Sequence, residues 1–264
     1  MNLDLSGKTA LVTGSTAGIG RAIATELAQL GAQVIINGRT DTRVNEAIAA
    51  IKKDSPKANL RGIAADLGTA AGCAALIKAL PAVDILVNNL GIFEPKPFEE
   101  IPDEDWLRFF EVNVMSGVRL SRAYLAGMRA KNWGRIVFIS SESAVQIPTE
   151  MIHYGMTKTA QVAVARGLAE TTLRTGVTVN SILVGPTASE GVQEFVGSLA
   201  EQRGISSEAF EAEFFKTARP TSLLQRFIVP PEIGAMVAFV CSPAASAING
   251  AALRADGGVV RTAF

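Results

Sequence analysis

Short apolar runs alternate with apolar positions at helical spacing along most of the chain. Residues 9–13 (TALVT) read as a buried strand, after which Ile19, Ile23, Leu27 and Leu30 mark a helix face that Gly31 closes. Residues 34–36 predict a second strand, followed by a helix carrying Val44, Ile48 and Ile51. Residues 60–65 and 83–87 predict strands three and four, with an alanine-rich helix over about 70–80 between them. A long helix is expected from Asp103, a natural N-cap, to Arg129, then a fifth strand at 135–139. Residues 157–173 lie in a helix ending near Gly176, and 177–183 and 252–254 predict strands six and seven. Strand and helix in this alternation imply an α/β fold on one parallel sheet of about seven strands, covered by helices on both faces. With no internal repeat, low-complexity tract or linker, residues 1–264 read as one domain. The one irregular stretch, 186–231, is helical in composition but interrupts the alternation.

Composition narrows the class. Apolar residues make up 48% and charged residues 19%, enough for a substantial core and too apolar for disorder. The 25 basic and 25 acidic side chains balance, with no long run of either sign, which argues against a nucleic-acid partner or an anionic membrane surface. Cys73 and Cys241 lack metal-ligand spacing and read as buried thiols. No apolar run reaches the roughly eighteen residues of a membrane span, and the N-terminus has no basic-then-apolar leader pattern. The expectation is a cytoplasmic protein.

Chemistry enters with two segments. In Thr13-Gly14-Ser15-Thr16-Ala17-Gly18-Ile19-Gly20, a glycine run follows the first strand and opens the first helix. Gly14 permits a tight turn, Gly18 lets a pyrophosphate approach the backbone, and Gly20 lets the helix pack against the sheet. The helix N-terminus then offers free N–H groups and a positive dipole end to phosphate. In the second segment, Tyr154 and Lys158 stand four apart on one helix face. An ammonium beside a phenol favours the phenolate and pulls the tyrosine down from its usual value of about 10, which suits proton exchange with a carbonyl or alcohol.

These elements, in this order, resemble the short-chain dehydrogenase/reductase family over essentially the whole chain. The matching motifs are the glycine run, Asp66 after the third strand, Asn88-Asn89-Leu90-Gly91 after the fourth, Asn113, Ser141, Tyr154 with Lys158, and residues 180–187 at the end of the sixth strand. Tyr154 lies 13 residues beyond Ser141 and 41 beyond Asn113, spacings similar to those of the family's catalytic tetrad. The resemblance implies a single Rossmann-type doubly wound sheet and hydride transfer between nicotinamide and a carbonyl or secondary alcohol. It makes Tyr154 the general acid/base, Lys158 its partner and a ligand of the nicotinamide ribose, and Ser141 a donor to the substrate oxygen. Asn113 would hold a water linking Lys158 to solvent. Gly14, Ser15, Thr16, Gly18, Ile19, Gly20, Asp66, Leu67, Asn89 and Thr187 join Tyr154 and Lys158 as cofactor-contacting residues, Asp66 at the adenine. Ser140 competes with Ser141 on chemistry alone, and the 13-residue spacing favours Ser141.

Cofactor choice turns on Gly38-Arg39 at the end of the second strand, where an acidic residue would select against a 2′-phosphate. Arg39 pairs well with phosphate, so NADP(H) is favoured over NAD(H); the competing reading is a surface arginine answering Asp41. Two positions depart from the family pattern: Leu90 where alanine is usual, and Val184 where proline usually precedes Gly185. Residues 188–230 resemble the family's variable substrate lid and carry Phe195, Val196, Leu199, Phe210, Phe214, Phe215, Leu223 and Leu224. These predict two amphipathic helices that also wall an apolar pocket. Glu142 could contact a polar or cationic substrate group, with a solvated acid the favoured reading, and His153 reads as a structural or pocket-wall residue. Apolar residues on more than one face of 103–129 and 155–174, including Trp106, Phe109, Phe110, Val114 and Leu120, predict a homo-oligomer, a tetramer by resemblance, with 257–264 near a second interface. A sugar-nucleotide epimerase or dehydratase is disfavoured by the G-x-x-x-G-x-G loop spacing. A catalytically silent binding or regulatory protein is disfavoured by the intact tetrad.

Overall fold

Alternation within the apolar runs decides the layering. In β1 (Thr9–Val12), Ala10 and Val12 join one core cluster and Leu11 the other. In β2 (Gln33–Gly38), Val34 and Ile36 share the first cluster while Ile35 enters the second. Successive side chains of a strand point to opposite faces, so a run apolar at every position needs a hydrophobic layer on both sides. Each fully buried Leu or Ile contributes about 1.5–3 kcal/mol relative to exposure. A computed structural model describes residues 1–263, with Phe195 described by its backbone only. The expectations for the Phe195 side chain and for Phe264 therefore lie outside the described residues.

The remaining elements are α1 (Gly18–Gln29), α2 (Asp41–Asp54), β3 (Leu60–Ala64), α3 (Ala70–Ala79), β4 (Ile85–Asn88), α4 (Asp103–Phe110), α5 (Ser116–Ala130), β5 (Gly134–Ser141), α6 (Ile152–Glu170), β6 (Val177–Val184), α7 (Glu190–Gln202), α8 (Ser207–Thr217), α9 (Pro230–Cys241) and β7 (Ala252–Ala255). The sheet is parallel throughout, in the order β3-β2-β1-β4-β5-β6-β7. The chain winds outward from β1 in one direction, then returns to place β4 on its other side. That reversal between β1 and β4 opens a crevice at the carboxyl ends of the strands, where ligands bind in open α/β sheets. The seven-strand doubly wound sheet agrees with the sequence expectation.

Three details differ from it. The helix expected over 103–129 is interrupted by a wide π turn, Glu111–Met115, centred on Asn113. Asp103 is the first helical residue, with Pro102 at the cap position. α9 carries no amphipathic signature because it is apolar on nearly all sides, with Ile233, Val237, Ala238 and Val240 buried. Its leading Pro230-Pro231 looked like a lid boundary, yet the first helical turn is where proline's missing N–H costs nothing. The Glu232 carboxylate accepts from Val229 N at 2.9 Å and completes that cap.

The apolar surplus on the 103–129 helices is partly consumed inside the chain. Phe109, Val114 and Leu120 are buried within the chain, whereas Leu107, Phe110 and Leu173, the last in the turn after α6, are exposed. Among the described residues no helix is long and apolar enough to cross a membrane.

Candidate active site

The glycine loop leaves β1 at the crevice and is tied down from both neighbouring strands. Thr13 Oγ1 accepts from the N–H groups of Asn89 and Leu90, both at 2.9 Å. Gly14 and Gly18 hold φ of +60° and +54°, the left-handed region that glycine enters without a Cβ penalty. A Cβ on Gly20 would lie 2.6 Å from Asn89 Nδ2 and 2.9 Å from Ser15 Cα, so only glycine fits where α1 meets the loop. The Asn89 side chain donates to Thr13 O at 2.9 Å and Gly14 O at 3.1 Å. Ser15 is buried, its hydroxyl donating to Val12 O at 2.7 Å.

Asn37, which the sequence reading passed over, completes this frame. Its Oδ1 accepts from Gly14 N, and its Nδ2 donates to Ile63 O and Ala65 O, all at 3.2 Å. Its own N–H donates to Ser15 Oγ at 3.0 Å. The available signal was a fully polar residue inside an otherwise apolar strand.

These residues form a cradle that fits a dinucleotide. Ala17 precedes α1 without a capping side chain, so the first-turn N–H groups keep their hydrogen-bonding capacity for an anion. They border a cavity of about 220 Å³ lined by Ala17, Gly18, Ile19, Gly20, Asn89 and Ser189. Thr16 packs its methyl group against Gly38, and exposed Arg39 follows with no ion pair to Asp41 or other partner among the described residues. Asp66 is exposed, its Oδ1 accepting from Gly68 N at 3.1 Å. The Leu67 side chain is committed to the core, which leaves only its backbone for a ligand.

The tetrad residues come from three elements to one place. Ser141 ends β5, Tyr154 and Lys158 occupy the first two turns of α6, and Asn113 sits on the π turn. Lys158 Nζ donates to Ile139 O at 2.9 Å and stands 5.5 Å from the Tyr154 ring centroid. Ser140 donates to Lys158 O at 2.9 Å, so its hydroxyl is committed to the backbone, while Ser141 lines the same cavity as Tyr154. Fully buried Asn113 accepts from Ile92 N at 2.7 Å and donates to Ile92 O and Thr157 Oγ1, both at 3.0 Å. Its carbonyl accepts from Gln161 Nε2 at 2.6 Å. Asn113 therefore fixes the loop that carries Gly91, where a Cβ would meet Asn113 Oδ1 at 3.4 Å and Lys158 Nζ at 3.5 Å.

The electrostatics of this arrangement correct one expectation. Burial pushes the Tyr154 phenol up from its ordinary value, and the Glu142 carboxylate pushes it further; hydrogen bonding to Ser141 and the charge of Arg219 pull the other way. Burial lowers the Lys158 ammonium to about 8, against the upward pull of Glu142. Desolvation thus outweighs the contributions of Ser141 and Arg219, and Lys158 is not among the groups that move the tyrosine. Tyr154 is held as a phenol, the proton-donating form.

A cavity of about 490 Å³ opens above these groups. Ile19, Asn89, Gly91, Val184 and Thr187 line its sheet side, and Phe93, Val192, Phe210, Phe214 and Phe227 its far side. Thr187 donates to Gly185 O at 2.9 Å and bridges to Ile228, tying the end of β6 to the lid. Glu142 is no solvated acid: it is buried, Oε1 accepts from Arg219 Nε at 2.9 Å, and Oε2 accepts from the Ser141 hydroxyl. His153 is wholly buried, its ring 4.0 Å from that of Phe109 and 5.9 Å from that of Trp106, and burial lowers its pKa.

The family model described as short chain dehydrogenase matches residues 8–198 of the chain. The chain belongs to the short-chain dehydrogenase/reductase family. It is 54% identical to the Bacillus subtilis oxidoreductase YvaG, with both chains covered completely. It is 35% identical to a D-beta-hydroxybutyrate dehydrogenase of Cupriavidus necator, covering 97% of this chain and 99% of the relative. L-sorbose reductase from Gluconobacter frateurii, solved with NADPH and L-sorbose, superposes with a TM-score of 0.93 at 30% identity, over 99% of this chain and 100% of that one. As a member of the short-chain dehydrogenase/reductase family the protein is an oxidoreductase.

Proposed function

We propose that this protein is an NADP(H)-dependent carbonyl reductase or alcohol dehydrogenase, with Tyr154 as the general acid/base. The observation that carries this reading is the convergence of Ser141, Tyr154 and Lys158 at one cavity bordered by the glycine-loop cradle. A nicotinamide held there would supply the hydride to the carbonyl carbon, or accept it from the alcohol. In reduction, the Tyr154 hydroxyl gives its proton to the substrate oxygen as negative charge grows there. Ser141 steadies that oxygen by hydrogen bonding. The phenolate left behind is stabilised by the Lys158 ammonium, which the Ile139 carbonyl and the Ser140 bond to its backbone hold in place. Asn113 positions Gly91 and Ile92 beside Lys158 and would hold a water that links Lys158 to solvent. Gly14, Ser15, Thr16, Gly18, Ile19, Gly20, Asp66, Leu67, Asn89 and Thr187 form the cofactor's side of the cleft. Arg39, exposed at the end of β2 and free of Asp41, supports a 2′-phosphate contact and so NADP(H). The NADPH of the sorbose reductase complex supports the same choice.

The test is oxidation of NADPH, followed at the nicotinamide absorbance band, against a panel of ketones. Tyr154→Phe is expected to lose nearly all turnover while cofactor affinity stays within about twofold, since only the proton carrier is removed. Wild-type turnover in that variant would refute the assignment.

A further inference from the structure

Ser141 has one hydroxyl proton, and Glu142 holds it. Because a carboxylate only accepts, the bond between Ser141 Oγ and Glu142 Oε2 runs from serine to glutamate. Ser141 Oγ meanwhile accepts from Ser143 N at 3.1 Å. A carbonyl arriving at Tyr154 therefore meets a serine whose donor points elsewhere. Turning that proton toward the substrate strips a buried carboxylate oxygen of its donor, unless the substrate brings a replacement.

The surroundings define the replacement. Arg219, itself buried, donates through Nε to Glu142 and through Nη1 to Glu150 Oε1 at 3.1 Å and Ala218 O at 2.8 Å. Its Nη2 makes no hydrogen bond among the described residues, and the side chain lines the cavity. Glu142, Glu150 and Arg219 together carry one net negative charge, and Lys158, which also lines the cavity, has its ammonium on Ile139 O. A donor–acceptor group without charge matches a carboxylate oxygen beside an open guanidinium N–H. A second carboxylate does not. Beyond this polar end the wall is apolar, formed by Val192, Val196, Phe210, Phe214 and Phe227.

We infer that Glu142 and Arg219 read a hydroxyl on the carbon next to the reacting carbonyl, so that the substrate class is uncharged α-hydroxy ketones and the corresponding vicinal diols. This rests on the hydride-transfer reading above. The substrate hydroxyl donates to Glu142 Oε2 and accepts from Arg219 Nη2, which frees the Ser141 proton for the carbonyl oxygen. No bond of that hydroxyl is made or broken; only hydrogen bonds exchange. Glu142 is in this sense a specificity residue acting on the substrate and, through Ser141, on the reacting oxygen.

A shape-matched trio tests the inference: 1-hydroxybutan-2-one, pentan-3-one and 2-oxobutanoate, which place a hydroxymethyl, an ethyl and a carboxylate at the same point. Initial rates are measured with NADPH and, in parallel, with NADH. The hydroxy ketone is expected to exceed both analogues in kcat/KM by tenfold or more. Glu142→Gln, with folding checked by its melting temperature, is expected to shrink the hydroxy ketone to pentan-3-one ratio at least tenfold. Equal kcat/KM for the first two in the wild type, or preference for 2-oxobutanoate, overturns the hydroxyl reading and leaves the hydride-transfer reading standing. No turnover of any of the three with either cofactor overturns both.

Discussion

Replacing Asn37 by alanine tests whether the cofactor cradle is held by side-chain hydrogen bonds or by the glycines alone. The side chain makes three bonds, one from Gly14 N and two to Ile63 O and Ala65 O, at a site only 2% exposed. A neutral hydrogen bond contributes about 0.5–1.5 kcal/mol net, and a buried group left without a partner costs about 1–3 kcal/mol. Three bonds at about 1 kcal/mol each give about 3 kcal/mol. At 2.1 cal/mol/K per residue, 264 residues correspond to an unfolding entropy of about 0.55 kcal/mol/K, so the melting temperature falls by about 5 °C. Because one of the three groups is Gly14 N, nucleotide affinity falls with it, by about tenfold if 1.4 kcal/mol of the loss is spent on the loop. Differential scanning calorimetry measures the first quantity and fluorescence titration of NADPH the second. Asn37→Asp sharpens the case: it keeps the shape and the acceptor for Gly14 but turns a second oxygen toward two carbonyls, so it should be no more stable than the alanine variant. An Asn37→Ala protein that melts within 1 °C of wild type and binds NADPH normally would refute the role.

Arg39→Ala should weaken NADPH by about 1.5–3 kcal/mol, the range of a charge-assisted contact, and NADH much less. Equal losses, or a wild type that prefers NADH, would remove the 2′-phosphate assignment. Lys158 should impose a pH limit on carbonyl reduction: burial depresses it to about 8, so its charge is complete below that value and lost as pH rises through it. The kcat/KM for ketone reduction should fall about tenfold per pH unit above about 8, and a profile flat to pH 10 would exclude Lys158 as the titrating group. Exposed Leu107, Phe110 and Leu173 support assembly into an oligomer, a tetramer by family resemblance. Light scattering at micromolar concentration should give a multiple of 27.7 kDa, and the mass of one chain would end that reading.

The sheet was legible because its strands are apolar on both faces and short, a pattern few other structures satisfy. The glycine loop was legible because Gly14, Gly18 and Gly20 each meet a local backbone demand that spacing alone reveals. Helix α9 was not, since Ile233, Val237 and Val240 are buried on several sides and leave no period to detect. The π turn at Asn113 was equally invisible, because its residues have ordinary helical character and only tertiary contacts widen the turn. Glu142 was misread for a third reason. A carboxylate next to Ser141 looks solvent-facing until its partner is known, and Arg219 lies 77 residues away in sequence.

Long-range partners of this kind also tie the elements of the site to one another. Lys158 rests on Ile139 O, Asn113 grips both polar groups of Ile92, and Gln161 holds the Asn113 carbonyl. The bonds of Lys158 and of the Asn113 side chain to Ile92 join a helix to a strand or loop that lines the cavity, and that of Gln161 joins α6 to the π turn. A helix that widens at Asn113 gives up regular geometry there, and such turns recur where function needs a side chain re-aimed. Here the widened turn aims Asn113 at Ile92 and Thr157, the one from the loop after β4 and the other from α6. The π turn thereby couples the segment bearing Gly91 to the helix bearing Tyr154. Its irregularity is better understood as part of the site's construction than as strain in α4 and α5.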